Sequence, residues 1–491
     1  MQGANTLDAP RRHVQTRETT KPTMEKPRLL AACCIVLSLA ACAFAPPPAA
    51  TPLAAPPNWY APLPHNGSLS DLSQWWQSLG DPLLVQLVEA AQNASPKLAT
   101  ARSRIEQSRA ARVQAGAALL PALDGSLSAA RGSTDPGTPV ASTVAANLQA
   151  AWEIDVFGAN RLASEAAQAR LDGAQAQWHD ARVAVAAEVA NRYFDQRACE
   201  QQSGIAQSDA ASRAQTSRLT AQSTQAGFSA PATAALARAS AAEANTPATQ
   251  RRGLCERDIK ALVAMTALPE PELRQKLATA PKELAPGASM VIAGVPAQVL
   301  GQRPDLFNAE REVAAASADA GSAQAQRYPR LSLNGSIGVQ GYRISGDSRE
   351  SATWSIGPLA LAVPIFDAGR RAANAQAALA RYEEAAFLYR AKARQAVSEV
   401  EQALVNLQST AARSDDAAQA YEGYRASLTA TEARYKSGLA SLVELEEARR
   451  SALASADAQV VLQRERIQAW IALYRAAGGG WTPAQPIAAA P

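Results

Sequence analysis

Histidine is nearly absent from this chain, which has only His13, His65 and His179 among its 491 residues. So few imidazoles leave little material for a histidine-based metal site, and no metal ligands are predicted. No nucleophile paired with a base and no phosphate-binding loop stands out, so no catalytic residue is assigned and an enzyme is the least favoured class. The net charge of +4, without a sustained basic run, gives no support for a nucleic-acid partner.

Aromatic residues and long apolar stretches are also scarce. Aromatics make up 5% of the chain, and no apolar run after residue 45 is long enough for a transmembrane helix, which needs about 20 residues. If the mature chain spans a bilayer, it must therefore do so as a closed β-barrel. Alanine, by contrast, is abundant, which favours long helices packed at close range over a thick globular core.

The N-terminal region has the pattern of a lipoprotein signal peptide. A charged segment that starts at Met24 precedes an apolar run ending in Leu39-Ala40-Ala41-Cys42, which is similar to the bacterial lipobox. We therefore predict a signal peptide over residues 1–41, translation from Met24, and acyl chains on Cys42 as the only cofactor. The alternatives are a buried helix and a membrane span, but Leu29–Phe44 is too short to cross a bilayer.

The rest of the chain contains an internal sequence repeat. Anchors recur in the same order in two copies: Pro96-x-Leu98-x-x-Ala101 as Pro304-x-Leu306-x-x-Ala309, Pro121-x-Leu123 as Pro329-x-Leu331, and Gly227 as Gly438. The offset stays between 208 and 211 residues, so an internal duplication sets the architecture. After the signal peptide we predict a lipidated Pro/Ala-rich tether (42–65), a first repeat (66–265), a linker (266–302), a second repeat (303–482) and a flexible tail (483–491).

Each copy is predicted to contain a helix, a strand pair and a long helical hairpin. The strand pairs cover about 120–157 and 329–366, where Leu331 and Leu333 begin an alternation typical of a sheet with one apolar face. Residues 160–226 contain no proline, and a helix of this length would reach about 100 Å. The hairpin tips are expected near residues 227 and 438.

Five motifs lie in order between residues 58 and 482: Trp75-Trp76-x-x-x-Gly80-Asp81-Pro82-Leu83, Gln302-Arg303-Pro304-Asp305-Leu306 with Ala309-Glu310, Pro364-Ile365-Phe366-Asp367-x-Gly369-Arg370, Tyr435-x-x-Gly438, and Ala476-Ala477-Gly478-Gly479-Gly480-Trp481. Each motif alone is weak, but their order and spacing together are specific. With the lipoprotein signal and the duplicated elements, the chain resembles the TolC-like outer-membrane efflux proteins, in their NodT-type lipoprotein branch.

The resemblance implies an α+β membrane protein that works as a homotrimer. Three copies of four strands would close a twelve-stranded β-barrel in the outer membrane. A long periplasmic α-helical barrel would continue it, with a small mixed equatorial domain formed in part by the linker. Physical reasoning agrees, because four strands cannot close a barrel alone and lipid does not tolerate an open sheet edge.

The implied function is a passive outer-membrane duct of a tripartite efflux pump that expels small toxic compounds. Its partners would be a periplasmic adaptor (membrane fusion) protein, an inner-membrane RND-type pump and the lipid of the outer membrane. One alternative is a duct for type I polypeptide secretion. Another is a structural periplasmic coiled-coil lipoprotein, which would not need the two strand pairs.

The resemblance also places an iris-like periplasmic gate near the second hairpin tip. The acidic positions fall on Glu444 and Glu447, three residues apart on one helical face, with Tyr435 nearby. Three-fold symmetry would turn the two glutamates into a carboxylate ring that attracts cations. The alternative is a pair of solvated glutamates on a charged helix, beside Glu446. Because Ala440 stands where a basic latch residue can occur in relatives, no ion pair is expected at that position.

Both hairpin tips are implied to receive the adaptor. The matching loops are Gly227-Phe228-Ser229 in the first copy and Gly438-Leu439-Ala440-Ser441 in the second. The alternative is that these loops are only helix reversals, which need glycine for backbone reasons. Both interpretations can hold at once.

Cys199 and Cys255 each lie 28 residues from Gly227, on opposite sides of it. In an antiparallel hairpin that turns at Gly227 the two thiols would face each other. Since the periplasm is oxidising, we predict a disulfide. Two buried free thiols are the alternative.

The remaining conspicuous residues are interpreted as structural. Phe157 and Phe366 are expected to pack at the strand-to-helix junctions, and Trp75 and Trp76 in the equatorial region. Asp155, Asp305 and Asp367 are interpreted as turn and cap residues rather than catalytic acids.

Overall fold

A computed structural model describes residues 45–52, 55–56, 58–61, 75–133, 139–281 and 296–483. The predicted signal peptide, Cys42 and nearly all of the predicted tail therefore lie outside the described residues. From Pro46 onward the described residues belong to one compact unit.

The elements of the first copy and the linker are α1 (Trp75–Ser78), α2 (Pro82–Ala94), α3 (Pro96–Ala117), β1 (Ala122–Gly132), β2 (Ala141–Ile154), α4 (Ala159–Gln225), α5 (Pro231–Thr266) and α6 (Glu270–Thr279). Those that follow are α7 (Pro296–Gly301), α8 (Pro304–Ala325), β3 (Arg330–Ile344), β4 (Asp347–Ala362), α9 (Arg370–Lys436), α10 (Leu442–Ala476) and a 3₁₀ helix (Gly478–Gly480). The two long helices, α4 and α9, each have 67 residues, or about 100 Å at 1.5 Å per residue.

Proline and short polar side chains set where helices begin. The Asp81 carboxylate accepts hydrogen bonds from the backbone N–H groups of Leu83 (3.0 Å) and Leu84 (3.2 Å), at the start of α2. These bonds satisfy amides that have no partner inside the helix. Pro82 occupies the first helical position, where its fixed φ is suitable and its missing N–H costs nothing.

The aspartates interpreted as caps occupy such positions. Asp155 accepts hydrogen bonds from the backbone N–H groups of Asn160 and Arg161 at the start of α4. Asp367 does the same for Gly369 and Arg371 at the start of α9. Asp305 lies in the first turn of α8 and pairs with Arg303 at 2.9 Å. All three carboxylates therefore have structural partners.

The four strands form one antiparallel sheet in the order β1-β2-β3-β4. Its central pair joins the two copies, with β2 and β3 in register from Ala141 opposite Ile344 to Ile154 opposite Leu331. The outer edges of β1 and β4 have no partner strand in the described part of the chain. A single protomer therefore leaves both edges of its sheet open.

The pairing registers sort the strand side chains into two chemically different faces. Successive residues of a strand point to opposite sides of the sheet. One face carries Leu123, Leu127, Val144, Leu148, Leu331, Leu333, Ile337, Val339, Trp354, Leu359 and Leu361, and the other carries Asp124, Ser126, Ser128, Thr143, Asn147, Gln149, Ser332, Ser336, Gln340, Thr353 and Ser355. The apolar side chains are contiguous across strands, since Leu148 lies opposite Ile337 and Ile337 opposite Trp354. All three are exposed in the protomer, as expected for a barrel wall with lipid outside and water inside.

The largest core cluster lies around the middle of the long helices, where α1, α2 and α6 pack on α4, α5 and α10. Trp75 and Trp76 are buried there against Tyr474, with ring centroids 5.1 and 4.8 Å from the tyrosine. The two tryptophans therefore pack as the sequence predicts. A buried arginine, Arg197, donates to the carbonyl of Leu277 at 3.0 Å and so ties α4 to α6.

The two strand-to-helix junctions differ. Phe157 stacks on Tyr328 with 5.0 Å between ring centroids, which agrees with a packing role. Phe366 is 89% exposed, so the packing prediction for this residue is wrong within a single chain. The physical reason is position, because Phe366 follows the edge strand β4, whereas Phe157 follows the central strand β2.

The described residues of the predicted tether contain neither helix nor strand, but they contact the helices. The carbonyl of Pro47 accepts a hydrogen bond from the Ser317 hydroxyl on α8. The backbone N–H groups of Tyr60 and Ala61 donate to the Glu401 carboxylate on α9 at 2.7 and 2.8 Å. This segment is therefore held against the helices at both ends of its described part.

Candidate functional site

The two hairpin tips have the same backbone geometry. Helix α4 ends where Gly227 adopts φ +79°, and α9 ends where Gly438 adopts φ +74°. In each tip the next residue donates its N–H to the carbonyl five positions back, Phe228 to Ser223 (2.9 Å) and Leu439 to Arg434 (2.8 Å). This is the bonding of a left-handed helix cap, which favours glycine. This geometry explains why each helix reversal needs a glycine.

The tips also expose apolar side chains at their outermost points. Phe228 is 88% exposed and Leu439 is 69% exposed. Both side chains are available for contact with another protein. Contact with an adaptor remains a prediction, and these two side chains are its chemical basis.

Glu444 is engaged locally at the start of α10. Its carboxylate accepts a hydrogen bond from the Ser441 N–H at 2.6 Å, and the Ser441 hydroxyl accepts one from the Glu444 N–H at 3.2 Å. This reciprocal pair is a capping box. The hydrogen bonds from Ser441, with the charge of Arg434, hold the pKa of Glu444 below its ordinary value. Glu444 is therefore ionised and fixed in place at neutral pH.

The other two predicted aperture residues have different surroundings. Glu447 is exposed and pairs with Arg450 at 3.0 Å, one turn further along α10. Tyr435 is half-buried and packs with Leu442 and Leu445 in a small cluster that closes the tip. Within one chain, Glu444 and Glu447 therefore lie on an exposed face, whereas Tyr435 contributes to packing.

A buried charged network joins the two hairpins just inside the tips. Arg213 on α4 donates to the Glu446 carboxylate on α10 at 2.5 Å. Ser240 on α5 donates to the same carboxylate at 2.6 Å, and Arg449 donates to it at 3.0 Å. Arg213 also pairs with Asp209 at 2.9 Å. We call Asp209, Arg213, Ser240, Glu446 and Arg449 the inter-hairpin network.

Sequence reasoning missed this network and named Glu446 only as a neighbour of the two predicted aperture glutamates. Glu446 is only 8% exposed, so it does not share their exposed face. The signal was present in the spacing, because Glu446 and Arg449 continue the helical stripe of the buried Leu442 and Leu445. What the sequence could not supply was the partner, since Arg213 lies 233 positions away.

Halfway along the first hairpin, the structure contains a disulfide between Cys199 on α4 and Cys255 on α5, with Cα atoms 5.5 Å apart. Close to it, Arg251 reaches from α5 to Asp457 on α10 at 3.0 Å. The covalent link therefore lies beside a second polar contact between the hairpins.

Two features are absent from the described residues. No helix there is sufficiently long and apolar to cross a membrane. In the same residues, no group of three or more His, Cys, Asp and Glu side chains could hold a metal ion.

Comparison with known proteins places the chain in a class. The model of the family described as "Outer membrane efflux protein" matches residues 87–267 and 295–479. The two matched segments correspond to the two copies of the duplicated unit. The chain belongs to the outer membrane efflux protein family.

Individual relatives cover nearly the whole chain. The chain is 31% identical to the pyoverdine export outer membrane protein OpmQ of Pseudomonas aeruginosa, over 94% of this chain and 98% of that protein. It is 29% identical to nodulation protein T of Rhizobium leguminosarum bv. viciae, over 86% and 87% of the two chains. The solved structure of the outer-membrane channel OprN superposes with a TM-score of 0.75 at 27% identity, over 88% of this chain and 99% of that one.

These similarities confirm the central predictions. The chain is a NodT-type outer-membrane efflux protein with the TolC-like fold, in which each protomer gives four strands to a trimeric barrel continued by long helices. It is located in the outer membrane and acts as an efflux channel. It is not an enzyme, because the family consists of transport conduits.

Proposed function

We propose that three copies of this chain form the outer-membrane end of a tripartite pump, together with a periplasmic adaptor protein and an inner-membrane RND-type pump. The observation that carries this proposal is the four-stranded sheet with one apolar face, one polar face and two unpaired edges. Three such sheets side by side pair every edge and give twelve strands. The helices α4 and α9 follow directly from β2 and β4, so the wall of the barrel continues into them.

The transported compounds are proposed to be small organic molecules. The relative with 31% identity over nearly the full length is named for the export of pyoverdine, which supports this size class over polypeptides. The sequence carries no nucleotide-binding motif, so the energy for export would come from the partner pump.

The periplasmic end of the duct is assigned to the second hairpin tip. Glu444 and Glu447 share an exposed face three residues apart, and the capping box fixes Glu444 relative to the helix end. Repeated three times, they would line the aperture with carboxylates and favour cations. Tyr435 would stabilise the tip through its packing with Leu442 and Leu445.

The adaptor is proposed to bind both tip loops. Phe228 and Leu439 would supply the apolar contact, and Gly227, Ser229, Gly438, Ala440 and Ser441 would shape the loops around them. The two tips have the same backbone geometry, so six similar sites would surround a trimer.

Acyl chains on Cys42 would attach each protomer to the outer membrane, which is also the membrane that contains the barrel. Pro47 is fixed on α8 through its hydrogen bond with Ser317. A lipid on Cys42, five residues before Pro47 in the sequence, would anchor each protomer independently of its barrel strands.

The test uses the purified full-length lipoprotein in detergent. The proposal expects a complex with the mass of three chains in native mass spectrometry, and single channels in planar bilayers. In a host lacking its own outer-membrane efflux channel, the chain with its adaptor and pump should restore export of a small dye. A monomer without conductance would refute the duct. A conducting trimer that exports polypeptides but no dye would refute the substrate class.

A further inference from the structure

A small polar cavity lies where the chain turns back after α10 and meets α2 and α4. It has a volume of about 80 Å³ and is lined by Gln92, His179, Arg182, Tyr474 and the segment 479–481. A single water needs only about 10–15 Å³ of such a volume, so the cavity has room for several waters or for one small ligand. None of the motifs interpreted for transport explains why polar groups converge here.

His179 is the buried polar group of this cavity. Its side chain is 8% exposed, and its Nε2 atom has no hydrogen-bond partner among the described residues. The ring lies between Trp178 and Trp481, with centroids 4.9 and 6.0 Å away. Leaving a buried donor or acceptor unpaired costs about 1–3 kcal/mol, so an occupant that bonds to Nε2 would be favoured.

The charges around the cavity are of one sign. Arg182 on α4 stacks on Trp178 at 5.3 Å, and no carboxylate within the described chain lies within 4.0 Å of it. Of the other lining groups, Gln92 on α2 and the glycines are uncharged, and burial raises the pKa of Tyr474 on α10, which keeps it neutral. Burial and the nearby Arg182 lower the pKa of His179 to about 4. The cavity is thus a positive site without a negative group.

The glycine segment brings bare backbone to the cavity wall. Gly478, Gly479 and Gly480 all adopt positive φ, between +62° and +81°. A Cβ atom on Gly479 would lie 2.5 Å from Val183 and 3.0 Å from the Tyr474 hydroxyl. Glycine is the residue that allows such a close approach of the main chain. A side chain at 479 would therefore clash with Val183 and push the main chain away from the cavity wall.

We propose that this cavity binds a small oxyanion, the carboxylate or phosphate group of a solute, between Arg182 and His179. The anion would accept hydrogen bonds from the Arg182 guanidinium, from the Nε2–H tautomer of His179 and from the Tyr474 hydroxyl. It would supply the missing negative charge and satisfy the buried nitrogen. The bound anion would link the C-terminal turn to α4.

The test measures the titration of the histidine side chains, which is practical because the chain has only three. Full-length protein labelled with ¹³C at histidine Cε1 is titrated from pH 7.5 to 3.5 in detergent, with a His65→Gln variant for assignment. Inorganic phosphate and acetate are compared with chloride at constant ionic strength. A bound anion stabilises the imidazolium, so the midpoint of His179 should rise by about one pH unit or more, a tenfold coupling. At pH 7, where acetate and phosphate are both ionised, a rise in Tm with acetate alone would assign the site to carboxylates, and a rise with phosphate alone would assign it to phosphates.

Two variants decide between specific binding and screening. Arg182→Gln should abolish the shift, whereas Arg112→Gln, on the exposed side of α3, should keep it. An equal shift in both variants, or no shift in the wild type, would overturn the proposal and leave the cavity to water. If Arg182→Gln does not assemble, His179→Gln serves instead: phosphate should raise the Tm of the wild type but not of this variant, and an equal rise in both would overturn the site.

Discussion

The two helical hairpins are copies of one unit, yet they are held together by different forces. The first hairpin, α4 with α5, is closed by the Cys199–Cys255 disulfide, and its tip has no acidic residue between 220 and 240. The second, α9 with α10, has no cysteine and instead carries a capping box and ion pairs at its tip. Duplication preserved the backbone of the tips, whereas the stabilising chemistry diverged. The first hairpin is a covalently fixed frame, and the second is held by polar contacts with which water and salt can compete.

The inter-hairpin network is where the two hairpins are coupled, and breaking it should have the largest effect. Glu446→Gln removes the buried negative charge that faces Arg213 and Arg449. Loss of one partner from a buried ion pair costs about 3–5 kcal/mol, because the remaining charges stay desolvated. Guanidinium unfolding followed by circular dichroism, with the trimer verified by native mass, measures the change.

Glu447→Gln is the matched control for that experiment. It sits one position away on the same helix, but its ion pair with Arg450 is exposed, so it should change the free energy of unfolding by less than about 1 kcal/mol. Equal effects of the two variants would contradict a special role for the buried network.

Removing the disulfide should have the next largest effect, confined to the first hairpin. The bond closes a loop with a sequence separation of 56, which the chain-entropy model converts to about 4 kcal/mol. The double variant Cys199→Ser, Cys255→Ser should lose this stability and show faster hydrogen exchange between α4 and α5. Exchange along α9 and α10 should stay unchanged, because that hairpin has no covalent closure to lose.

A reducing agent provides the control for the disulfide. Dithiothreitol should destabilise the wild type and leave the double serine variant unaffected. If the reductant acts equally on both proteins, or if exchange increases equally in the two hairpins, the covalent frame is not what distinguishes them.

How much of the structure could be predicted from the sequence depends on how far apart in the sequence the interacting residues lie. The helices, strands and tips follow from local periodicity and from Pro and Gly positions such as Pro96, Gly227 and Gly438. The duplication then indicated two strand pairs and two helical hairpins, since each copy repeats one plan. The burial of Glu446 was missed because its partner Arg213 is distant in sequence. Whether Phe366 packs against its own chain depends on which strand lies at the edge of the sheet, and the local sequence pattern does not encode this.

A reciprocal swap of helix caps tests whether the tips differ in the way proposed. Ser441 caps α10 with its hydroxyl, whereas Ala230 at the start of α5 makes no side-chain cap bond. Ser441→Ala should destabilise the second hairpin by about 1 kcal/mol, and Ala230→Ser should stabilise the first by a similar amount. The rate of hydrogen exchange in the first turn of each helix measures both changes in stability. If Ala230→Ser leaves exchange at residues 232–234 unchanged, the first tip does not lack a cap.

The smallest effect on stability, and the sharpest on function, should come from the tip carboxylates. Glutamine also completes a capping box, so Glu444→Gln keeps the helix start and removes only the charge. Combined with Glu447→Gln it would remove six charges from a trimer, and the preference of single channels for cations should fall. Reversal potentials in a salt gradient measure this preference. Glu422→Gln, an exposed change in the middle of the second hairpin, should leave it unchanged. If the double variant and this control give the same reversal potential, the glutamates are solvated surface residues, and the second tip differs from the first in its capping alone.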